Sequence, residues 1–380
     1  MADPPRVAFY VPALRVGGAQ RVTITVANGL AERGYDVDLV VSHYEGELSD
    51  RVSGAVRIVD LDAPKVPAIG ILAGLPRLRS YLETVEPSLL FAAMTYANVV
   101  SILTAAMANT YTKLLPIEHN TFGMESRLKS RATDRLARHL YRFADGVVAV
   151  SEGVADSVVD GTYIDRSDVT VLYNPIPVSE IREQSQASID DEWLQSSAFE
   201  PIVSVGRLEA QKNLSTLLRS FALVNRARPD TRLILVGRGS KREDLLALAD
   251  SLGISNVVSL PGYVENAYAY MGHASVFALS SEYEGLPTVL IEALACGCPI
   301  VATDCPSGPR EILSDGEYGT LVPVGDAPAL RDAILSTLET PTDSETLTRR
   351  SRDFSVETVV DQYEAFIEGL VDRRADERAT

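Results

Sequence analysis

The sequence predicts an α/β chain built as two doubly wound, parallel-sheet domains facing an interdomain cleft. Three observations predict it. Short apolar runs alternate with amphipathic stretches, the pattern of strands buried on both faces and connected by crossover helices. The alternation comes as two series, parted by a polar interval marked with prolines. The chain has 380 residues, 46% hydrophobic and 23% charged; that is more than one core usually serves, with a composition ordinary for a folded, soluble chain.

In the first series RVAFYVPAL, DVDLVVS, VRIVDL, SLLFAAM, KLLPIEH and GVVAVS read as buried strands. Between most of them lie helical patterns, such as AQRVTITVANGLAERG, which Gly34 closes where a helix C-cap is expected. Leu89 to Thr112 carries no charge and is long enough to span a bilayer. Its Ala, Thr, Ser and Asn content divides it instead into a strand, LLFAAM, and a buried helix, ANVVSILTAAMA. The start, MADPPRVAFYVPAL, lacks the basic residues and long apolar core of a signal peptide. After NPIP the rhythm is lost, and the polar run that follows reads as a linker with one short helix. A second series begins at PIVSVGRL and continues through RLILVGRG, NVVSLPG, ASVFALS, PIVATDC and GTLVPV. The expected division is a first domain over 1–176, a linker over 177–200 and a second domain over 201–355, with a closing helix over about 356–375. In open sheets of this kind ligands bind at the carboxyl ends of strands, and two such domains suggest a cleft.

The formal net charge is −17, which disfavours a nucleic-acid partner, since phosphate needs a basic surface. Only five of the 35 basic residues are Lys. Excess carboxylate with scarce Lys fits adaptation to high salt; a GC-rich genome favours Arg equally well. Cys296, Cys298 and Cys305 have neither a fourth ligand for a metal site nor an even count for disulfides, and read as small buried residues of a reducing compartment.

The densest chemical signal is SSEYEGLPTVLIEALACGCPIVATDCPSGPREIL, residues 280–313. A strand ends at Ser280, a loop carries Glu284, Gly285 and Leu286, and Pro287 is expected at the first position of a helix, whose free N–H groups suit an anion. Glu292 lies inside that helix on an otherwise apolar pattern, where a carboxylate is costly unless paired or bonded to hydroxyls. Taken alone, the two are equally a capping Glu and a salt-bridged helix Glu; the surrounding string points to a site. In VGRLEAQKNL, residues 205–214, Gly206 and Arg207 end a strand and Lys212 precedes a helix. Two cations so placed could neutralise a pyrophosphate and the charge growing on a leaving group. Gly17 and Gly18 follow the first strand, where glycines permit close backbone approach. This is not a GxGxxG, and no acidic residue follows in a dinucleotide arrangement. His119 closes KLLPIEHN, where Glu118 is the simplest partner for it, and Ser151 either serves a site or caps a helix from Glu152.

These residues resemble the family-four retaining glycosyltransferases of the GT-B fold, two Rossmann-like domains, over nearly the whole chain. The likeness rests on E-G-L-P-T-V-L-I-E followed by ALACGCPIVATD, on G-R-L-x-x-x-K-N, and on the Gly-Gly loop. It implies that Glu284 contacts the donor sugar and Glu292 the ribose, and that Arg207 and Lys212 meet the phosphates. It also implies that Gly17 and Gly18 approach donor and acceptor, that His119 reaches the donor sugar, and that Thr288 belongs to the anion-binding helix start. By the same likeness Gly237 and Arg238 of VGRGSKRED, with Tyr263 and Val264 of LPGYVEN, line the nucleotide base, chiefly through backbone groups. The implied reaction moves a hexose or N-acetylhexosamine from a UDP-linked donor to a glycan or polyprenyl-linked acceptor, with no divalent metal and no other cofactor. The closing helix is implied to return to the first domain. DCPSGPREIL looks closest to members that build cell-surface or lipid-linked glycans.

The alternative is a sugar-nucleotide epimerase of the same fold, which would turn over its substrate with no acceptor. A phosphorylase would need a pyridoxal-bearing Lys, and a non-catalytic subunit would not need the intact charged set. The stretch 127–142 is locally basic, with Arg131, Arg135 and Arg138, and either meets a lipid surface or phosphorylated acceptor or is a solvated face. The expected location is cytoplasmic, with peripheral contact at the inner face of the plasma membrane.

Overall fold

The computed structural model describes residues 5–15, 17–63, 74–123 and 135–379, the side chains of the last helix as far as Val371. The chain divides into two compact units, one of residues 1–175 with 356–380 and one of residues 176–355.

The first unit holds a seven-stranded parallel sheet of β1 (Arg6–Ala13), β2 (Asp36–His43), β3 (Arg57–Asp60), β4 (Leu89–Ala93), β5 (Lys113–Glu118), β6 (Val147–Ala149) and β7 (Val169–Val171). Its order is β3-β2-β1-β4-β5-β6-β7, so the winding reverses between β1 and β4. The inner strands are buried along most of their length because their apolar residues are continuous, and all five residues of β4 are buried. The edge strand β3, expected as a buried strand, has no buried residue, since Arg57 and Asp60 bracket its two apolar positions. Helices α1 (Gly18–Glu32), α2 (Leu75–Val85), α3 (Thr95–Ala105) and α4 (Glu152–Gly161) follow β1, β3, β4 and β6. Gly34 ends α1 in the left-handed region, φ +90°, its N–H donating to Ala31 O at 3.0 Å. The uncharged stretch from Leu89 is β4 and α3, and among the described residues no helix is long and apolar enough to cross a membrane. β7 is absent from the sequence expectation, since three residues after the polar turn Arg166–Asp168 make too short a run to register.

The closing helix, Val356–Ala379, packs in this first unit. Gly29 of α1 lies so close that a Cβ there would meet Val360 at 2.6 Å. Arg33 pairs with Asp361 and Glu364, and Tyr363 meets Phe91 edge-on at 5.8 Å between ring centres.

The second unit holds a six-stranded parallel sheet of β8 (Glu200–Val205), β9 (Thr231–Val236), β10 (Val258–Gly262), β11 (Val276–Leu279), β12 (Ile300–Thr303) and β13 (Thr320–Val322). Its order, β10-β9-β8-β11-β12-β13, reverses between β8 and β11. Residues 177–200, expected as a linker with one short helix, form two helices packed within this unit, α5 (Val178–Ser185) and α6 (Glu192–Gln195). Their polar composition hides Ile181, fully buried, and Leu194, which joins Val203 and Ile234 in a small cluster. Helices α7 (Leu214–Ala227), α8 (Arg242–Ser251) and α9 (Ala267–Gly272) follow, then α10 (Thr288–Ala295), α11 (Pro309–Ile312), α12 (Ala327–Glu339) and α13 (Ser344–Ser351). Leu217, Leu218 and Phe221 of α7 pack with Leu330 and Ile334 of α12 in the main core.

Candidate functional site

In the second unit, the loops after β8 and β11 emerge side by side, because those strands are neighbours where the winding reverses. After β8 the chain passes Gly206 and Arg207, makes a tight turn over Ala210–Lys212, and enters α7 through Asn213 in the left-handed region, φ +43°. Asn213 Oδ1 accepts from the hydroxyls of Ser215 and Thr216, each at 3.0 Å, which fixes the turn that delivers Lys212.

Lys212 Nζ donates to Glu284 Oε1 at 2.5 Å, and Ser281 Oγ donates to the same oxygen at 2.6 Å. The two charged side chains are only 15% and 9% exposed, so water screens the pair poorly. Gln211 Nε2 donates to Tyr283 O at 2.8 Å and reaches Glu284 Oε2 at 3.4 Å, while its Oε1 accepts from Arg207 Nη2 at 3.0 Å. Bonds to backbone carbonyls lock the loops together, Ser280 Oγ donating to Lys212 O and Glu282 N–H to Gln211 O, while Thr303 Oγ1 of β12 donates to Ser281 O. Gly308, at φ +89°, supports the other side; a Cβ there would meet Pro287 at 2.3 Å. A small hollow lined by Gly206, Arg207, Lys212, Val236 and Ser280 opens among these residues.

Beside it, Gly237 approaches Gly206 so closely that a Cβ would sit 1.8 Å from its carbonyl oxygen. Leu208 N–H donates to Arg238 O at 2.9 Å, and the Arg238 guanidinium lies over the exposed Tyr263 ring at 5.5 Å. The Val264 side chain packs with the cluster beneath. Pro287 is the residue before the first turn of α10, at ψ 89°, one place earlier than expected; Thr288 is the first helical residue. Glu292 lies further along α10, partly buried, one turn before Cys296. Burial, and after it the Glu292 charge, pushes the Cys296 thiol up to about 12; burial does the same for Cys305, and Cys298 is likewise raised, which disfavours the thiolate at all three. Cys298 and Cys305 are buried and Cys296 partly so.

In the first unit, Gly17 is the extended residue before α1 and Gly18 its first residue; a Cβ on Gly17 would meet Gln20 Oε1 at 2.3 Å. Gln20 Nε2 contacts Met94 Sδ at 3.4 Å, and Met94 itself adopts φ +86° between β4 and α3. Such a conformation is costly for a non-glycine residue and clusters at ligand sites. His119 follows β5, and its Nε2 is buried with no hydrogen-bond partner among the described residues. Desolvation pushes its pKa down to about 4, so the imidazole is neutral near pH 7. Glu118, expected beside it as a partner, is turned to Tyr141, to Asn98 Nδ2 at 3.0 Å and to Thr95 Oγ1 at 3.4 Å. Ser151 Oγ accepts from Val154 N–H at 3.2 Å and so caps α4. Of the basic stretch, Arg131 lies outside the described residues; Arg138 stacks on the exposed Tyr163, and Arg142 on the exposed Phe143.

The second unit therefore brings together Gly206, Arg207, Lys212, Glu284 and Pro287, with Gly237, Arg238 and Tyr263 alongside. Sequence reasoning missed Gln211, Ser281 and Gly308. Gln211 falls on an unspecified position of G-R-L-x-x-x-K-N, and only its place beside Lys212 could have drawn attention to it.

Two family models match the chain, "Glycosyltransferase Family 4" over residues 16–180 and "Glycosyl transferases group 1" over residues 187–354. A similar relative is the N-acetylgalactosamine-N,N'-diacetylbacillosaminyl-diphospho-undecaprenol 4-alpha-N-acetylgalactosaminyltransferase of Campylobacter jejuni, 29% identical over 346 residues, 88% of this chain and 90% of the relative. Another is the lipopolysaccharide core biosynthesis glycosyltransferase LpsE of Rhizobium meliloti, 28% identical over 84% of each chain. Among solved structures, HepE of Anabaena in complex with UDP aligns with a TM-score of 0.78 at 21% identity, over 96% of this chain and 100% of that one. A glycosyltransferase from Rickettsia africae aligns equally well, TM-score 0.78 at 17% identity, over 97% and 99%.

Proposed function

The chain belongs to the group 1, family-four glycosyltransferases of the GT-B fold, and from that premise we propose a retaining transferase that moves a hexose or N-acetylhexosamine from a UDP-linked donor to a glycan or polyprenyl-linked acceptor. Sugar-nucleotide epimerisation is not favoured, since the relatives above are transferases. UDP as the donor nucleotide is supported by the UDP bound to HepE, and a lipid-linked acceptor by the diphospho-undecaprenol in the Campylobacter relative's name.

The observation that carries the reading is the buried Lys212–Glu284 pair at the carboxyl ends of β8 and β11, with Arg207 held next to it. A diphosphate entering there offers Lys212 and Arg207 more negative charge than one carboxylate does. Lys212 shifts toward it, and Glu284, still bonded by Ser281, is left to accept from sugar hydroxyls. Arg207 and Lys212 then stabilise the leaving UDP, so no divalent ion is required for that charge. Glu292 takes the ribose hydroxyls, and Arg238, Tyr263 and Val264 border the base. Neutral His119 offers a hydrogen bond to the donor sugar, and Gly17 and Gly18 admit donor and acceptor. The acceptor attacks the face from which UDP leaves, and a donor phosphate oxygen takes its proton. The carboxylates place the sugar; no glycosidase-like pair and no covalent intermediate is invoked. The exposed Phe143 and Tyr163, each beneath an Arg, support contact with a lipid surface at the inner membrane face.

The test is ligand-shift melting against a panel of nucleotide sugars, followed by transfer to lipid-linked acceptors. Lys212→Ala should abolish transfer and Glu292→Ala should weaken donor binding, both with folding intact. Wild-type activity in both variants would remove the site assignment.

A further inference from the structure

Resting on the donor site proposed above, we infer that Gln211 is a positioning residue, which holds the Arg207 guanidinium and the Glu284 loop in one register. Its side chain is the link between them. The carbonyl oxygen accepts from Arg207 Nη2 at 3.0 Å, and the amide nitrogen donates to Tyr283 O at 2.8 Å and points at Glu284 Oε2 from 3.4 Å. The backbone adds a further tie, Glu282 N–H to Gln211 O at 2.9 Å. Gln211 thus meets three consecutive residues of the β11 loop and one of the β8 loop, which lie 72 residues apart in sequence.

Glutamine suits this place for a chemical reason. Arg207 needs an acceptor, while Tyr283 O and Glu284 need a donor. An uncharged amide carries the acceptor on one atom and two donor hydrogens on another, so that it serves both sides at once. A glutamate would hold Arg207 but turn a second carboxylate oxygen toward Tyr283 O and Glu284; a lysine would do the reverse. When Lys212 turns from Glu284 to an arriving diphosphate, Glu284 loses its nearest cation. The Gln211 amide is then placed to shorten its long contact and keep the carboxylate in position. Arg207, tethered rather than loose at the surface, loses less freedom when it closes on phosphate.

A double-variant cycle in UDP affinity, read by titration calorimetry on the full chain, tests the inference. Gln211→Leu should weaken UDP by about tenfold and Arg207→Gln, which loses the phosphate contact together with the tether, by at least as much. The double variant should lose little more than Arg207→Gln alone, because Gln211 acts on UDP through Arg207. Losses that multiply in the double variant overturn the inference, as does wild-type affinity in Gln211→Leu. Should Gln211→Leu fail to fold, Gln211→Asn, which keeps both polar ends one methylene short of reach, carries the same cycle. Lys212→Ala measured alongside separates the two failures. If it binds UDP as the wild type does, the donor-site reading itself falls; if it loses UDP while Gln211→Leu does not, only the role of Gln211 falls.

Discussion

Lys212 and Glu284 stand 72 residues apart in sequence and 2.5 Å apart at their charged ends. Each was legible as a candidate from its own motif, Lys212 from G-R-L-x-x-x-K-N and Glu284 from E-G-L-P. Their pairing was not, because it depends on β8 and β11 being neighbours, a property of strand order that no local string encodes. The reverse holds for His119, where sequence suggested Glu118 as its partner and the strand end directs Glu118 to Tyr141 and Asn98 instead. Adjacent residues at the end of a strand point to opposite faces, so sequence neighbours there are poor guides to contact. His119, whose Nε2 has no hydrogen-bond partner among the described residues, carries a prediction. Its pKa falls from the usual 6.5 to about 4 because burial disfavours the imidazolium. A group whose native pKa is depressed lends stability above its unfolded pKa and loses it as pH falls through the native one. The contribution is therefore intact above about pH 6.5 and lost progressively toward pH 4, amounting to a few kcal/mol at most. Melting temperature followed from pH 7 to 4 should drop less steeply in His119→Asn than in the wild type. Equal slopes would show that another group governs that window.

At the scale of elements, continuous apolar runs made strands legible, because a strand buried on both faces admits little else. What escaped was short or disguised: β7, with three residues, and α5 and α6, whose buried Ile181 and Leu194 are outnumbered by polar neighbours. The docking of the closing helix depends on a detail of similar size. Gly29 is a helix-interior glycine, which ordinarily weakens a helix, and its reward is the close approach of Val360. Gly29→Ala should therefore destabilise, by about 1–3 kcal/mol, although alanine is the better helix former, since its methyl group overlaps Val360. Trimming the other surface in Gly29→Ala/Val360→Ala should recover much of that loss. Chemical denaturation of the two variants distinguishes the cases. A stabilised Gly29→Ala would mean that the helices separate at no cost and that their contact is not close-packed.

For the whole molecule the two α/β units were foreseen because the strand rhythm occurs twice, but the charge admits a physical test that neither unit does alone. With 52 acidic and 35 basic residues the chain carries −17, and like charges spread over a compact surface repel more when folded than when the chain is expanded. Salt acts on this in two opposing ways. It screens the net repulsion, and it also screens the attractive pairs, such as Arg6 with Asp36 and Arg166 with Glu152. These pairs are largely solvent-accessible, and exposed pairs contribute little each. The buried Lys212–Glu284 pair is sheltered from the ions. Repulsion is the larger quantity, so raising NaCl from about 10 mM to about 1 M, which shortens the screening length from roughly 30 to 3 Å, should raise the melting temperature. Over the same range UDP should bind more weakly, because Arg207 and Lys212 meet its phosphates by charge. Stability and affinity are thus expected to move in opposite directions with one variable. A melting temperature that falls as salt is added would show that the surface pairs outweigh the net charge, and would remove self-repulsion as the consequence of the acidic composition. A rise that continues to molar salt is what adaptation to high salt requires, whereas the scarcity of Lys alone, as from a GC-rich genome, implies no such dependence.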